Sequence, residues 1–476
     1  MNKLRFLVVC LLFVFAVSSF GVVAQETAPA RSVILLISDG ASGNHFHLAE
    51  LYAEQVLGMQ TATNTMPFVA YTRTLTVDDN ITDSAPAGSS IHAGGRYRNG
   101  VINIDEDLMA RFTVAHAAQQ AGKSVGIVST ARITHATPAS VYASVPQRDM
   151  EDEIAVQLLE FLPEVALGGG RRHFLPSDGG GRRGDGRDLV AEFVDAGYVY
   201  VANGMEFNAL NLAETDRLIG LFTGSHMAYE IDRVQQELNE PSLAEMTMAA
   251  LEILGRNENG FFLSVEGARI DHASHGNDPI GVLHDQLAFE EAVRVALDYQ
   301  AANPDTLVIV TADHDCGGLV LGRDNIFSVN IPHLAQYTCS IEYTLGRIGA
   351  DPENYEQILA DCGWQFTEEE LAMLEMFPLD TQAGETGFAE FDRAAGYVAN
   401  WLHFVMAHSV NHGAHIGWTS WTHTANPVFT FAFGPGAERL MGNIHLEDIA
   451  FAMADAMGVT IPDPVPCNCE LPVVDY

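Results

Sequence analysis

Short apolar runs, rich in β-branched and aromatic residues, recur along this chain with helical patterns between them. That alternation constrains the fold more than any other feature. Segments 33–37, 125–129, 165–167, 261–265, 307–310 and 428–433 are predicted buried strands. Segments 107–121, 242–254 and 282–300 are predicted helices. Strands joined through helices run parallel, and the crossovers cover both faces of the sheet. The expected fold is therefore α/β, a mostly parallel central sheet with helices on both faces. A chain of 476 residues has room for one large domain with insertions or for two or three small ones. Two stretches break the rhythm. Segment 168–186 is rich in glycine and arginine but lacks a phosphate-loop pattern, and it is expected to be an exposed excursion. Segment 321–415 is acidic and helical, an expected insertion packed on a domain spanning 31–460, with 461–476 as a C-terminal tail.

Residues 1–24 are an expected export signal. Lys3 and Arg5 give it a basic start, 6–17 is apolar but too short to span a bilayer comfortably, and Val22-Val23-Ala24 suits cleavage after Ala24. Cys10 follows Val9, where a lipid-anchor signal calls for a small residue, so no anchor is read. The expected product is exported, periplasmic or extracellular, with no membrane span. Its formal charge is −38, or −40 once Lys3 and Arg5 leave with the signal, and Lys123 is then the only lysine. Such an excess of carboxylate repels nucleic acid and anionic membranes and favours solubility. It is read as a solvated acidic surface, with adaptation to high salt as the sharper alternative. Five cysteines follow the signal: Cys316, Cys339, Cys362, Cys467 and Cys469. Export permits disulfides, and Cys339 with Cys362 is one candidate pair, but sequence alone does not give the connectivity and one thiol is left over. Cys467-x-Cys469 is read as structural rather than metal-binding.

In parallel sheets ligands bind outside the carboxyl ends of the strands, so the residues that end these runs are informative. Segment 33–37 leads into Asp39, and 125–129 leads to His135-Ala136-Thr137-Pro138. Segment 261–265 leads to Glu266 and then Asp271-His272-Ala273-Ser274-His275; 307–310 leads to Asp313-His314; His423 precedes 428–433. Asp271 and His275 are four residues apart, on one face of a helical turn. That spacing can hold one zinc, with His423 as third ligand and an open position for water or substrate. Ser84, in Thr82-Asp83-Ser84-Ala85-Pro86-Ala87-Gly88, is a candidate nucleophile. A serine hydroxyl needs a base or a metal to activate it, so the combination suggests a metal-activated serine that attacks phosphorus. His403, His408, His412 and His415 are read as lining a helix face or loop, Cys316 as a buried thiol, and Trp418 and Trp421 as packing residues.

Taken in order, Asp39-Gly40, Asp83-Ser84-Ala85, His135-Ala136-Thr137-Pro138, Arg148, Glu266 to His275, Thr311-Ala312-Asp313-His314 and His423-Thr424 resemble the motifs of the alkaline phosphatase family. The resemblance implies an enzyme that hydrolyses phosphate monoesters through a phosphoserine on Ser84. It implies a first zinc on Asp271, His275 and His423, and a second on Asp39, Asp313, His314 and Ser84. It implies a third site on Asp39, Thr137 and Glu266, an oxygen set suited to magnesium. Arg148, eleven residues after Thr137, matches the family's phosphate-clamping arginine, whose guanidinium pairs with two phosphate oxygens at once. Ser84 is then expected near a helix N-terminus, where backbone N–H groups favour an anion. The family varies at His135 and His272. Imidazole at both positions suits zinc or cobalt at the third site better than magnesium, although the preferred reading makes both histidines orienting groups that are not ligands. A homodimer is implied as well.

Two other readings stay open at this level. One is a related hydrolase of phosphodiesters or sulfate esters, but a diester lacks one charged oxygen that Arg148 and the third site address, and the Cys/Ser-x-Pro-x-Arg segment of sulfatases is missing after Ser84. The other is a non-catalytic metal- or phosphate-binding protein, which loss of Ser84 or a ligand would signal; none is lost.

Overall fold

Every segment predicted above to be a strand forms one in a single ten-stranded sheet in the computed structural model, which describes residues 29–384, 386–467 and 469–471. The expected export signal lies outside the described residues. In chain order the strands are β1 Ser32–Ser38, β2 Phe68–Arg73, β3 Ser124–Arg132, β4 Val165–Gly169 and β5 Val199–Val201. They continue as β6 Leu218–Leu221, β7 Phe261–Gly267, β8 Thr306–Thr311, β9 Val428–Phe433 and β10 Gly442–His445. Across the sheet they lie in the order β10-β2-β9-β8-β1-β7-β3-β4-β6-β5. Neighbours pair in parallel except that β9 runs against both β8 and β2.

Side chains alternate across a strand, and β1 shows the result. Ile34 and Leu36 enter the core on one face of the sheet, Val33, Leu35 and Ile37 the core on the other. Helices Leu243–Leu254 and Pro279–Ala302 cover the first face; Val114–Gln120 and Leu446–Met457 cover the second. The first of these helices starts at Ser242 because Ser242 Oγ accepts from Glu245 N–H while Glu245 accepts from Ser242 N–H, a reciprocal cap. The α/β sheet covered on both faces is the expected one. No helix among the described residues is long and apolar enough to cross a membrane.

Some local expectations fail for identifiable reasons. The predicted helix 107–121 shrinks to Val114–Gln120. Leu108 has φ +56°, a left-handed conformation no helix continues through, and Thr113 caps the real start. Met109–Ala110 instead pairs with Val465–Pro466 and so ties down the tail. Segment 168–186 is only partly an exposed excursion: Gly168, Gly169 and Gly170 are buried at the end of β4, and Arg183 is buried with its guanidinium on the carbonyls of Asp152 and His173. A Cβ at Gly169 would stand 2.1 Å from the Ser225 carbonyl, so this glycine permits close chain approach rather than flexibility. Strand β9 is not buried on both sides: Val428, Thr430 and Ala432 are buried while Phe429 and Phe433 are exposed, the alternation of an antiparallel strand near the sheet's edge.

Segment 321–415 carries helices Ile341–Ala350, Tyr355–Asp361, Glu368–Leu374 and Trp401–Ala414. Ile331, Leu334 and Tyr337 join the core of the sheet, whereas Phe391, Trp401 and Phe404 form a small cluster of their own. Cys339 and Cys362 are bonded, as are Cys467 and Cys469, which leaves Cys316 as the one free cysteine among the described residues.

Candidate active site

The carboxyl ends of the central strands bring the polar residues together. Strands β1, β7, β3 and β8 are adjacent or one removed, and Ile37 stands level with both Glu266 and Thr311, and Ser129 with Glu266. Asp39 and Asp313 each follow two residues beyond that row. Because β9 alone is reversed, its leading end lies at this same edge, which is why His423 precedes its strand where the other residues follow theirs. Gly40 lets the first loop approach the helix Arg269–His275: with φ +74°, it has Asp271 atoms 2.8 Å from where a Cβ would sit. Ser84 is the first residue of helix Ser84–Ala93, and the Asp83 carboxylate before it accepts from Ala85 N–H at 2.7 Å.

Three groups of metal-capable side chains result. In the first, Asp271, His275, His423 and Cys316 offer atoms within 4.8 Å of one another. His275 Nδ1 donates to the Trp421 carbonyl at 2.7 Å and His423 Nδ1 to the Thr82 carbonyl at 2.9 Å. Those bonds place the ring protons outward and leave both Nε2 lone pairs facing Asp271, at 3.5 and 3.4 Å. The second group is Asp39, Asp313 and His314, with His314 Nε2 3.3 Å from Ser84 Oγ and 3.2 Å from Asp313 Oδ2. The third is Asp39, His135 and Glu266, with Thr137 Oγ1 donating to Asp39 Oδ2 at 3.4 Å. Asp39 belongs to both of the last two.

Each of three carboxylates has one oxygen held by the protein and the other free. Asp313 Oδ1 accepts from Gly40 and His314 N–H, Asp39 Oδ2 from Thr137, and Glu266 Oε2 from Ser129 Oγ. Asp313 Oδ2, Asp39 Oδ1, Glu266 Oε1 and also Asp271 Oδ1 are buried with no partner. A buried polar atom without a partner costs about 1–3 kcal/mol, more if charged. Burial first, and then repulsion among Asp313, Asp271 and Glu266, pushes Asp39 well above the usual carboxylate range. Burial likewise raises Glu266 to about 7 and Asp313 to about 6. Asp271 goes the other way: burial alone would raise it, but whenever no cation sits between them and the His275 and His423 rings carry a proton, their charge holds it well below that range. Burial also keeps His314 neutral, its nitrogens available as ligands. Buried, mutually repelling carboxylates with unsatisfied oxygens beside neutral imidazoles are the donor set that divalent cations satisfy.

Arg148 shares Asp83 with the start of the Ser84 helix. Its Nη1 donates to Asp83 Oδ1 at 3.2 Å and its Nη2 to His135 Nε2 at 2.9 Å. His272 is not a member of any of the three groups; its Nδ1 accepts from Arg269 at 3.1 Å and its ring packs 4.2 Å from that of His226. His226, which also packs on His135 and accepts from Arg132, went unnoticed in the sequence. It follows β6, the run Leu218-Ile219-Gly220-Leu221, which is too short and too glycine-interrupted to stand out as a strand in the sequence. Asp83, which positions both the Ser84 helix and Arg148, was likewise read only as a neighbour of the serine. His403, at the start of helix Trp401–Ala414, donates to the Gly276 carbonyl, and Trp418 donates to Asn411.

Comparison with known proteins identifies the family. A family model described as alkaline phosphatase matches residues 30–459. Alkaline phosphatase 4 of Bacillus subtilis (strain 168) is 30% identical over 441 residues, 90% of this chain and 88% of that protein. Alkaline phosphatase 3 of the same organism is 31% identical over 436 residues, 88% and 87% of the two chains. Among solved structures, that of Thermus thermophilus alkaline phosphatase superposes with a TM-score of 0.80 at 32% identity, covering 94% of this chain and 96% of the other. That of the cold-active alkaline phosphatase from the psychrophile Shewanella sp. gives 0.76 at 25% identity, covering 90% and 99%.

Proposed function

The chain belongs to the alkaline phosphatase family, a metal-dependent phosphomonoester hydrolase, and on that premise we propose that it works through a phosphoserine on Ser84. Asp271, His275 and His423 would hold one zinc, Asp39, Asp313, His314 and Ser84 a second, and Asp39, Thr137 and Glu266 a magnesium. The observation that carries this reading is the set of unpartnered buried carboxylate oxygens at the strand ends, beside neutral imidazole, with His314 Nε2 against Ser84 Oγ. The cations supply, when bound, Lewis-acid charge at the attacking and leaving oxygens and a lowered pKa for the serine hydroxyl.

The chain's own groups do the rest. His314 Nε2 aims the Ser84 oxygen. The first turn of the Ser84 helix offers the phosphoryl oxygens little N–H of its own, because Ala85 N–H is held by the Asp83 carboxylate, Ala87 N–H by the Asp83 carbonyl, and residue 86 is proline, so the binding falls to Arg148. Arg148, held by Asp83 and His135, pairs with two of those oxygens and keeps the phosphorus in line with Ser84. Ser84 Oγ, its proton lost to solvent, forms the bond to phosphorus as the ester P–O bond breaks, and the alcohol leaves with a proton from water. Water then breaks the Ser84–phosphorus bond, returning the serine and releasing inorganic phosphate. An arginine only donates, so His135 Nε2 accepts and its ring proton sits on Nδ1, which is buried without a partner. This supports His135 as an orienting donor beside the third site rather than a ligand. Residues 1–24 support export, and the family supports a homodimer.

The intermediate can be caught. After acid quenching of enzyme turning over an aryl phosphate, the peptide containing Ser84 should carry the added mass of one phosphoryl group, and Ser84→Ala enzyme should carry none and lose turnover by at least about ten-thousandfold. Phosphate found on no peptide, with Ser84→Ala still active, would exclude the serine mechanism.

A further inference from the structure

Cys316 lies within reach of the first metal group, and nothing in the mechanism above uses it. The residue sits in the short strand Asp315–Cys316, paired antiparallel with His423–Thr424 so that Cys316 is directly opposite His423. Directly opposed residues project to the same side of a two-stranded ladder, with Cβ atoms about 4.5–5.5 Å apart. The backbone holds the thiol in place: Cys316 N–H donates to the Gly40 carbonyl at 2.9 Å, and Gly317 follows with φ +73° against the Trp418 ring. Cys316 is buried and outside any disulfide, and its thiol donates to the Asp271 main-chain oxygen at 3.7 Å.

A second observation points to a ligand. Asp271 Oδ1 has no protein partner although Asp271 is only 4% exposed. His275 and His423 present their Nε2 atoms 3.1 Å apart and 3.5 and 3.4 Å from the Asp271 carboxylate. Tetrahedral coordination with bonds of about 2.0–2.3 Å needs ligand atoms about 3.3–3.8 Å apart. The two Nε2 atoms and the Asp271 carboxylate already stand near that spacing, His275 against Oδ2 and His423 against Oδ1, and the sulfur, within 4.8 Å of the other ligand atoms, has at most about 1 Å to close.

We propose that Cys316 is a fourth protein ligand of the position bounded by Asp271, His275 and His423, so that this chain can close that position around a thiophilic cation in the absence of substrate. This rests on the reading of those three residues as a metal site. On binding, the thiol proton passes to solvent as the sulfur–metal bond forms, and no electron is transferred. A thiolate selects zinc, cobalt or cadmium over magnesium. In the resting enzyme the sulfur occupies the place an incoming phosphate oxygen needs, so substrate displaces sulfur on entry.

The test is the absorption spectrum of holoenzyme in which zinc has been exchanged for cobalt by dialysis, with bound cobalt counted in parallel. Wild-type enzyme should show an intense near-ultraviolet sulfur-to-cobalt band that inorganic phosphate diminishes. Cys316→Ser enzyme should lack the band and bind cobalt at least about tenfold more weakly at this site. Cys316→Ala serves as a second variant should the serine hydroxyl itself ligate. Full cobalt loading of the wild type with no sulfur band overturns the proposal alone. Failure of the wild type to bind cobalt at all overturns the metal reading together with the proposal.

Discussion

Arg148 is the residue whose neighbours are most specific to one task. Its guanidinium is held by two partners, Asp83, which caps the Ser84 helix, and His135, at the third group. Arg148→Ala should lower kcat/KM for monoesters by about a hundred- to a thousandfold. Arg148→Lys should recover little of it, because an ammonium cannot make two parallel bonds to phosphate. Steady-state kinetics on one aryl phosphate would check both, and recovery by lysine to within a few fold of wild type would mean that charge alone matters there. At this scale the sequence was legible where a residue ended a recognisable apolar run, as Asp39, Glu266, Asp313 and His314 do, or stood on the helical turn just after one, as Asp271 and His275 do. His226 was not, because glycine interrupts the four-residue strand before it. The direction in which Arg148 Nη2 occupies His135 was also beyond reach, since it depends on a contact between loops thirteen residues apart.

Elements carry the next level of organisation, and buried carboxylates join several of them. Asp232, in helix Glu230–Gln235, accepts from both the N–H and the hydroxyl of Ser340, the cap of helix Ile341–Ala350. Burial pushes its carboxyl from 3.8 up to about 7 despite those bonds. Between those two values the folded chain holds this proton more tightly than the unfolded chain does, so the residue's contribution to stability falls as pH rises from about 4 to about 7. Asp232→Asn removes that titration. Its Tm relative to wild type should therefore climb across the same window in scanning calorimetry, and a difference that stays constant with pH would contradict the assignment. Strand and helix existence was legible where runs were long. The reversal of β9 was not, because a strand's direction is set by its partners. Helix 107–121 was over-read because left-handed Leu108 leaves no mark in an apolar periodicity.

Over the whole molecule, charge and metal act together. A formal charge of −38 makes the surface self-repelling, and most described arginines are already paired with carboxylates or carbonyls. Molar salt shortens the screening length to about 3 Å, so Tm should rise on adding it; a flat or falling Tm would argue against salt adaptation. The buried carboxylates at the strand ends need positive charge more urgently than the surface does, and cations at that site should stabilise the fold as well as enable turnover. Phosphate release from a simple aryl phosphate at mildly alkaline pH, followed before chelation, after chelation, and after zinc and magnesium are restored, decides whether this is so. Turnover should vanish with the metals and return with them. Undiminished turnover in protein shown by metal analysis to be stripped, or none in metal-replete enzyme, would contradict the metal-activated serine.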